Sequence, residues 1–178
     1  MAEVTREHLV KTLENIALLL ELKGENPFKT RAYRNGAEIV QNFDGDIVTR
    51  ATKNDLKDIK GFGDALQQKL YELASTGSLA YHENLRAEFP ETLFELFEIQ
   101  GLGPKKIKTV YDQLEVDSVA SLKKACEDGK VASLKGFGAK TAEKILGAIA
   151  NREKFANRFR LGDVGPLAET LLERLKDH

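Results

Sequence analysis

Tryptophan is absent from the sequence, and its 178 residues hold a single cysteine and four prolines. A lone thiol, Cys126, cannot close an internal disulfide, which excludes the small secreted scaffolds held together by cystine bridges. Its neighbours Lys124, Ala125 and Glu127 include no histidine to activate it, so it reads as a helical thiol and not a nucleophile. No stretch approaches the ~20 apolar residues of a membrane span. Residues 1–11 also lack the basic, apolar and small-residue order of a secretory signal. A protein of the reducing cytoplasm, without membrane contact, is expected. His8, His82 and His178 are scattered, with no cysteine or carboxylate at metal-ligand spacing, and no phosphate loop ending in Gly-Lys-Ser/Thr appears. What is present, 42% apolar and 31% charged residues, suffices for one or two small domains with real cores.

The formal net charge is −1, which argues at first against a polyanionic partner. The average conceals a pattern. Residues 23–34 carry Lys23, Lys29, Arg31 and Arg34 against Glu25 alone, and residues 101–110 carry Lys105, Lys106 and Lys108 with no acid. Glu83, Glu88, Glu91, Glu95 and Glu98 crowd another segment against Arg86. Basic segments alternating with an acidic one are expected if one face meets an anion while the remainder keeps the protein in solution. The glutamate spacings, with Phe89, Leu93, Phe94 and Phe97 between them, fit the exposed face of helices with an apolar back better than a metal site.

The apolar periodicity is helical almost throughout, and no alternating β-branched run with hairpin turns interrupts it, so the fold class is all-α. A first helix runs from an N-cap at Thr5 through Leu9, Leu13, Ile16 and Leu20, on one face, and stops at Gly24. A second opens at Asn26-Pro27, a capping residue followed by proline at the first helical position. Phe28, Ala32 and Ile39 are expected on its apolar side, with Lys29 and Tyr33 sharing another face. The polar stretch 49–55 is expected to lead into a short helix around residues 56–59.

One phrase then occurs three times. Ile59-Lys60-Gly61-Phe62-Gly63, Ile99-Gln100-Gly101-Leu102-Gly103 and Leu134-Lys135-Gly136-Phe137-Gly138 each follow a short apolar helical pattern and precede a longer one. Two glycines around an apolar residue permit a tight turn with positive φ and a close approach of backbone to ligand, while the apolar residue packs inward. The helix that starts after each turn, at Asp64, Pro104 and Ala139, presents backbone N–H groups and the positive end of its dipole, which suits a phosphate. Such helix-hairpin-helix turns address the nucleic-acid backbone and read no bases, so binding should be sequence-nonspecific and strongly salt-dependent. Lys105, Lys106 and Lys108 place cations at the second turn; Lys135, Lys140 and Lys144 do so at the third. The first is charge-balanced, with Asp58 and Asp64 around Lys60. A single such corner fits a protein-interaction bundle equally well; three in one frame favour DNA.

The segment Leu22-Lys23-Gly24-Glu25-Asn26-Pro27-Phe28-Lys29-Thr30-Arg31-Ala32-Tyr33-Arg34, with the first hairpin and the helix ending at Ser75-Thr76-Gly77, resembles the amino-terminal lyase-type domain of bacterial family X DNA polymerases, the polymerase-beta-like group. The second and third hairpins resemble that family's fingers region, and the similarity runs from about Glu14 to Leu175. The resemblance implies a lyase-type domain over 1–85, a two-hairpin domain over 86–158, and a tail over 159–178 whose helix, 166–176, is similar to the lead-in to the palm. The palm's metal-binding aspartates do not follow, so the chain is not expected to polymerise by itself, and Mg²⁺ belongs only to a palm that would come after it.

The resemblance further implies binding to gapped or nicked DNA and 5′-phosphate ends during base excision repair, in the nucleoid-associated cytoplasm and as a monomer. Lys29, Tyr33, Arg34 and Lys60 would bind or orient phosphate, along with Gly61, Gly63, Gly101, Gly103, Gly136 and Gly138 in the turns. Carbonyls of Gly101, Gly103, Gly136 and Gly138 would hold a monovalent cation, Na⁺ or K⁺, bridging to a DNA phosphate. Lys69 stands where the animal members carry the deoxyribose-phosphate lyase nucleophile. As a neutral amine it would attack the open-chain sugar aldehyde, forming a Schiff base that eases β-elimination of the phosphate, with no cofactor. Ala65 and Tyr81 stand where the animal site has basic residues, and Lys144 occupies in the third hairpin the place of Lys69 in the first. Plain phosphate binding by Lys69 and lyase chemistry are both open on the sequence.

Overall fold

A computed structural model of the chain describes residues 4–154, all-α as expected and without a strand among them. The tail expected over 159–178, with its helix, lies outside the described residues. The elements are α1 (Arg6–Lys23), α2 (Pro27–Asn42), α3 (Ile47–Thr52), α4 (Asp64–Thr76), α5 (Ala80–Ala87), a 3₁₀ helix η1 (Glu91–Glu98), α6 (Pro104–Leu114) and α7 (Val119–Glu127). The chain is helical again over 139–154, here α8. Two compact units form: one from the residues up to Glu91 with Gly103–Thr109, the other from Thr92–Leu102 with the residues from Val110 onward. No described helix is long and apolar enough to cross a membrane.

In the first unit α1 is the central post. The Thr5 side chain accepts the His8 N–H at 3.2 Å and caps its start. Gly24, at φ 78°, ends it in the left-handed conformation. Leu9, Leu13, Ile16 and Leu20 are fully buried, each contributing ~1.5–3 kcal/mol relative to exposure. α2 packs along α1 and α4 along α3, with α5 also against α1. Asn26 caps α2 through the Phe28 N–H at 2.9 Å, with Pro27 in its first turn.

Two expectations about this unit are corrected. The inward face of α2 is Thr30, Tyr33, Gly36, Ala37 and Val40, whereas Phe28 is 76% exposed and Ala32 is exposed. The reason is close approach: a Cβ at Gly36 would lie 2.7 Å from Leu66 Cδ2 and 3.7 Å from Leu13 Cδ1, so the small residues decide which side faces the core. Tyr33 is buried on this face. The short helix expected over 56–59 is instead α3, capped by Asp46 on the Thr49 N–H at 3.0 Å and followed by Asn54 at φ 55°. The competing signal was the Asp46 cap, which outweighs the apolar spacing of Leu56 and Ile59.

The second unit is organised by η1. At three residues per turn, Leu93, Leu96 and the following Ile99 fall in line and are buried, while Glu95 and Glu98 fall in line on an exposed side. Arg152 of α8 pairs with both glutamates, at 3.1 and 2.8 Å. α7 starts with a capping box between Ser118 and Ser121 and buries Leu122, Ala125 and Cys126. Burial pushes the Cys126 thiol above its ordinary range, as suits an unreactive core thiol. α8 turns Ala142, Ile145 and Ile149 inward.

Candidate nucleic-acid interface

The three repeated phrases fold into the same turn. The N–H of the apolar residue between the glycines donates to the carbonyl three positions back: Phe62 to Ile59 at 3.3 Å, Leu102 to Ile99 at 3.1 Å and Phe137 to Leu134 at 3.0 Å. The residue beginning each phrase donates in turn to Leu56, Leu96 or Val131. The first glycine sits at φ 97°, 86° and 86° for Gly61, Gly101 and Gly136, the third position of a type II turn, which demands a residue without a Cβ. Phe62 and Leu102 are buried and Phe137 half-buried, so each turn is pinned inward by its apolar residue.

The second glycine is different. Gly63 is the N-cap of α4 with φ −76° and ψ 161°, extended backbone that any residue adopts, and Gly103 and Gly138 lie outside the positive-φ region too. A Cβ built on Gly63, Gly103 or Gly138 meets no described atom within 4 Å. Neither backbone conformation nor crowding inside the chain therefore accounts for glycine there. The space beside each is open, and at Gly63 glycine also serves as the N-cap of α4. At the first hairpin no side chain caps α4, and Gln67 instead ties its side chain to the Phe62 carbonyl at 2.8 Å, holding the turn rigidly to the helix.

The cations distribute unevenly. Lys60, Lys105, Lys135, Lys140 and Lys144 are exposed, and Lys106 and Lys108 are half-buried. Lys108 lays its stem along Gly24, where an added Cβ would sit 3.1 Å from Lys108 Cε. Arg34 pairs with Glu21. Arg50, which the sequence did not single out, pairs with Asp58 and with Asp55. That pairing holds the Asp58 carboxyl below its ordinary range and neutralises one of the two acids flanking Lys60. The Gly103 carbonyl accepts the Ile107 N–H, and that of Gly138 accepts those of Thr141 and Ala142. A monovalent cation would have to share these two of its four expected carbonyls with helix N–H groups. No cluster of His, Cys, Asp or Glu suited to a metal occurs among the described residues.

Beside the first turn lies a cavity of about 440 Å³ lined by Lys29, Ala32, Tyr33, Gly61, Gly63, Ala65, Leu66, Lys69 and Tyr81. Two lysines and no carboxylate face it. Lys69 is half-buried, its Nζ 3.4 Å from the Ala65 carbonyl and 4.8 Å from the centre of the Tyr81 ring. Lys29 Nζ lies 5.7 Å from the same centre and 3.8 Å from Glu25. The Tyr33 and Tyr81 rings stack at 6.0 Å, 11° from parallel. Burial first, and then the neighbouring Tyr81, push the Tyr33 phenol far above its ordinary value, so it stays neutral. Of the residues singled out on sequence, Lys29, Tyr33, Gly61, Gly63 and Lys69 meet at this cavity, while Arg34 and Lys60 are not in its lining. Lys144, the counterpart of Lys69 in the third hairpin, is simply exposed.

Comparison with known proteins agrees with this geometry. Residues 4–79 match the family described as helix-hairpin-helix domain, and residues 93–151 match the SAM-like helix-hairpin-helix tandem. Two helix-hairpin-helix-type domains are thus recognised in the chain, within residues 4–79 and 93–151. It is 36% identical over 170 residues to the DNA polymerase/3′-5′ exonuclease PolX of Bacillus subtilis, across 96% of this chain and 29% of that protein. The matched part of PolX is amino-terminal, so the likeness to the amino-terminal part of a bacterial family X polymerase holds. The Holliday junction branch migration complex subunit RuvA of Pseudomonas fluorescens is 28% identical over 127 residues, covering 62% of this chain and 63% of RuvA. The chain thus spans less than a third of PolX and under two thirds of RuvA.

Proposed function

We propose that the two helix-hairpin-helix domains bind DNA through its backbone without reading base sequence, at gaps and nicks in a repair setting. The observation that carries this reading is the second glycine of each turn, at the start of a helix with open space where a side chain would stand. A methyl-free surface at the start of a helix lets a phosphate reach backbone N–H groups, and the exposed lysines of the second and third turns supply the counter-charge. The names carried by PolX and RuvA, a polymerase and a junction-migration subunit, are those of proteins acting on DNA. Family X offers the nearer frame, because its likeness covers nearly the whole chain. Binding is the activity assigned here; polymerisation is not.

Within this reading, the cavity beside the first turn takes the 5′-phosphate at the margin of a gap. Its two lysines and its lack of a carboxylate suit a phosphate dianion, and its apolar walls, Ala32, Ala65 and Leu66, suit a sugar. The test compares fluorescence anisotropy of one-nucleotide gapped duplex carrying 5′-phosphate or 5′-hydroxyl with that of intact duplex. Gapped, phosphorylated DNA is expected to bind tightest, with all three weakening steeply as salt rises. Equal affinity for the three substrates would remove the end-binding role, and negligible, salt-insensitive affinity would remove DNA binding altogether.

A further inference from the structure

Two lysines facing one cavity repel each other, and neither has a strong anchor among the described residues. Lys29 has only a long, largely exposed ion pair with Glu25, at 3.8 Å. Lys69 has the Ala65 carbonyl at 3.4 Å, near the outer limit of a hydrogen bond. What they share is the ring of Tyr81, with both ammonium nitrogens within 6 Å of its centre. That is the range in which a ring face attracts a cation.

The placement of Tyr81 is itself unusual. No hydrogen bond of ordinary geometry reaches its buried hydroxyl among the described residues, although the Tyr33 phenol lies near enough to interact with it, so the ring is placed by its stacking and not by a strong hydroxyl anchor. The ring is held by the parallel stack on Tyr33, which is anchored in the face of α2 that packs on α1. A fixed aromatic face shared by two ammonium groups is a positioning device.

We propose that Tyr81 positions Lys29 and Lys69 for a terminal phosphate, the negative face of its ring drawing both ammonium groups to one side of the cavity. The inference rests on the 5′-phosphate reading of the cavity. Tyr81 is a positioning residue: it sets the two cations and need not touch the ligand.

The test replaces Tyr81 in the full chain by phenylalanine and by phenylalanines carrying two and then five ring fluorines. These keep the shape while draining the negative face of the ring. The readout is the preference for 5′-phosphate over 5′-hydroxyl on gapped duplex, with thermal unfolding as the control. The preference is expected to fall stepwise with fluorination, by about three- to tenfold over the series, at a constant unfolding midpoint. Tyr81→Leu is expected to match the most fluorinated variant. A preference that stays constant along the series overturns the proposal. A wild-type chain that binds gapped DNA in a salt-dependent way with no 5′-phosphate preference overturns the cavity reading, and the role of Tyr81 with it.

Discussion

Gly63→Ala separates function from folding at a single methyl group. The backbone at Gly63, φ −76° and ψ 161°, accepts alanine, and the added Cβ meets no described atom within 4 Å. Alanine is a poorer N-cap than glycine by roughly 0.5 kcal/mol. Against this, the less flexible unfolded chain returns about 0.4–1 kcal/mol. The net change in stability is therefore within about 1 kcal/mol of zero. Binding should respond differently, since the methyl stands on the cavity wall where a phosphate would meet the start of α4. Loss of one charge-assisted hydrogen bond of ~1.5–3 kcal/mol corresponds to roughly ten- to hundredfold in affinity. Gly61→Ala is the control: at φ 97°, with its new Cβ 2.5 Å from Ile39 Cδ1, it should lose about 1–2 kcal/mol from the backbone alone. Urea unfolding and anisotropy titration on gapped duplex, run on both variants, check this. An unchanged affinity for Gly63→Ala, or a stability loss as large as that of Gly61→Ala, would refute the reasoning.

Three further outcomes are expected. Phe28→Ala should change stability by under ~0.5 kcal/mol because the ring is 76% exposed, whereas Leu13→Ala, at a fully buried position, should cost about 2–5 kcal/mol in the same urea assay. His82 is held below its ordinary value of 6.5, by burial first and by nearby Arg86 second. The unfolded chain therefore takes up this proton before the folded one does. Stability should decline as pH falls below about 6.5 and level off beneath the folded value, and His82→Gln should flatten that part of the profile. Borohydride treatment of the chain with 5′-deoxyribose-phosphate DNA should give no Lys69-dependent adduct, since the role proposed for Lys69 is to bind the phosphate and not to attack the sugar aldehyde. A covalent adduct that disappears in Lys69→Ala would make the cavity a lyase site.

The turns were legible because each depends on local chemistry: a glycine where φ must be positive, an apolar residue to pin the loop, and a helix start immediately after. The caps at Thr5, Gly24 and Asn26-Pro27 were readable for the same reason. The inward face of α2 was not. Phe28 carried the hydrophobic signal, but the core contact is set by Gly36 and Ala37, whose value lies in how closely two other helices approach them. Such proximity is tertiary, and a small residue gives no periodic signal of it. Tyr81 stood out on sequence only as a departure from a basic position. Its stacking partner Tyr33 lies 48 residues earlier, and its ammonium neighbours Lys29 and Lys69 lie 52 and 12 residues earlier, on α2 and α4. The Arg50–Asp58 pair, which alters the charge balance of the first turn, likewise depends on where α3 lies, and α3 was misplaced on sequence.

The central claim is that helix-hairpin-helix turns in both domains grip the DNA backbone, and salt dependence tests it most directly. Anisotropy titrations of the wild-type chain and of Lys105→Glu with Lys106→Glu, on two gapped duplexes of unrelated sequence, should be run between 50 and 200 mM salt, a range of roughly one decade or more in affinity for a backbone binder. The account predicts a steep log-log slope for the wild type, the same for both sequences, and a slope shallower by about one for each lysine that contacts a phosphate. Negligible binding, or an affinity indifferent to salt and to the two substitutions, would contradict it.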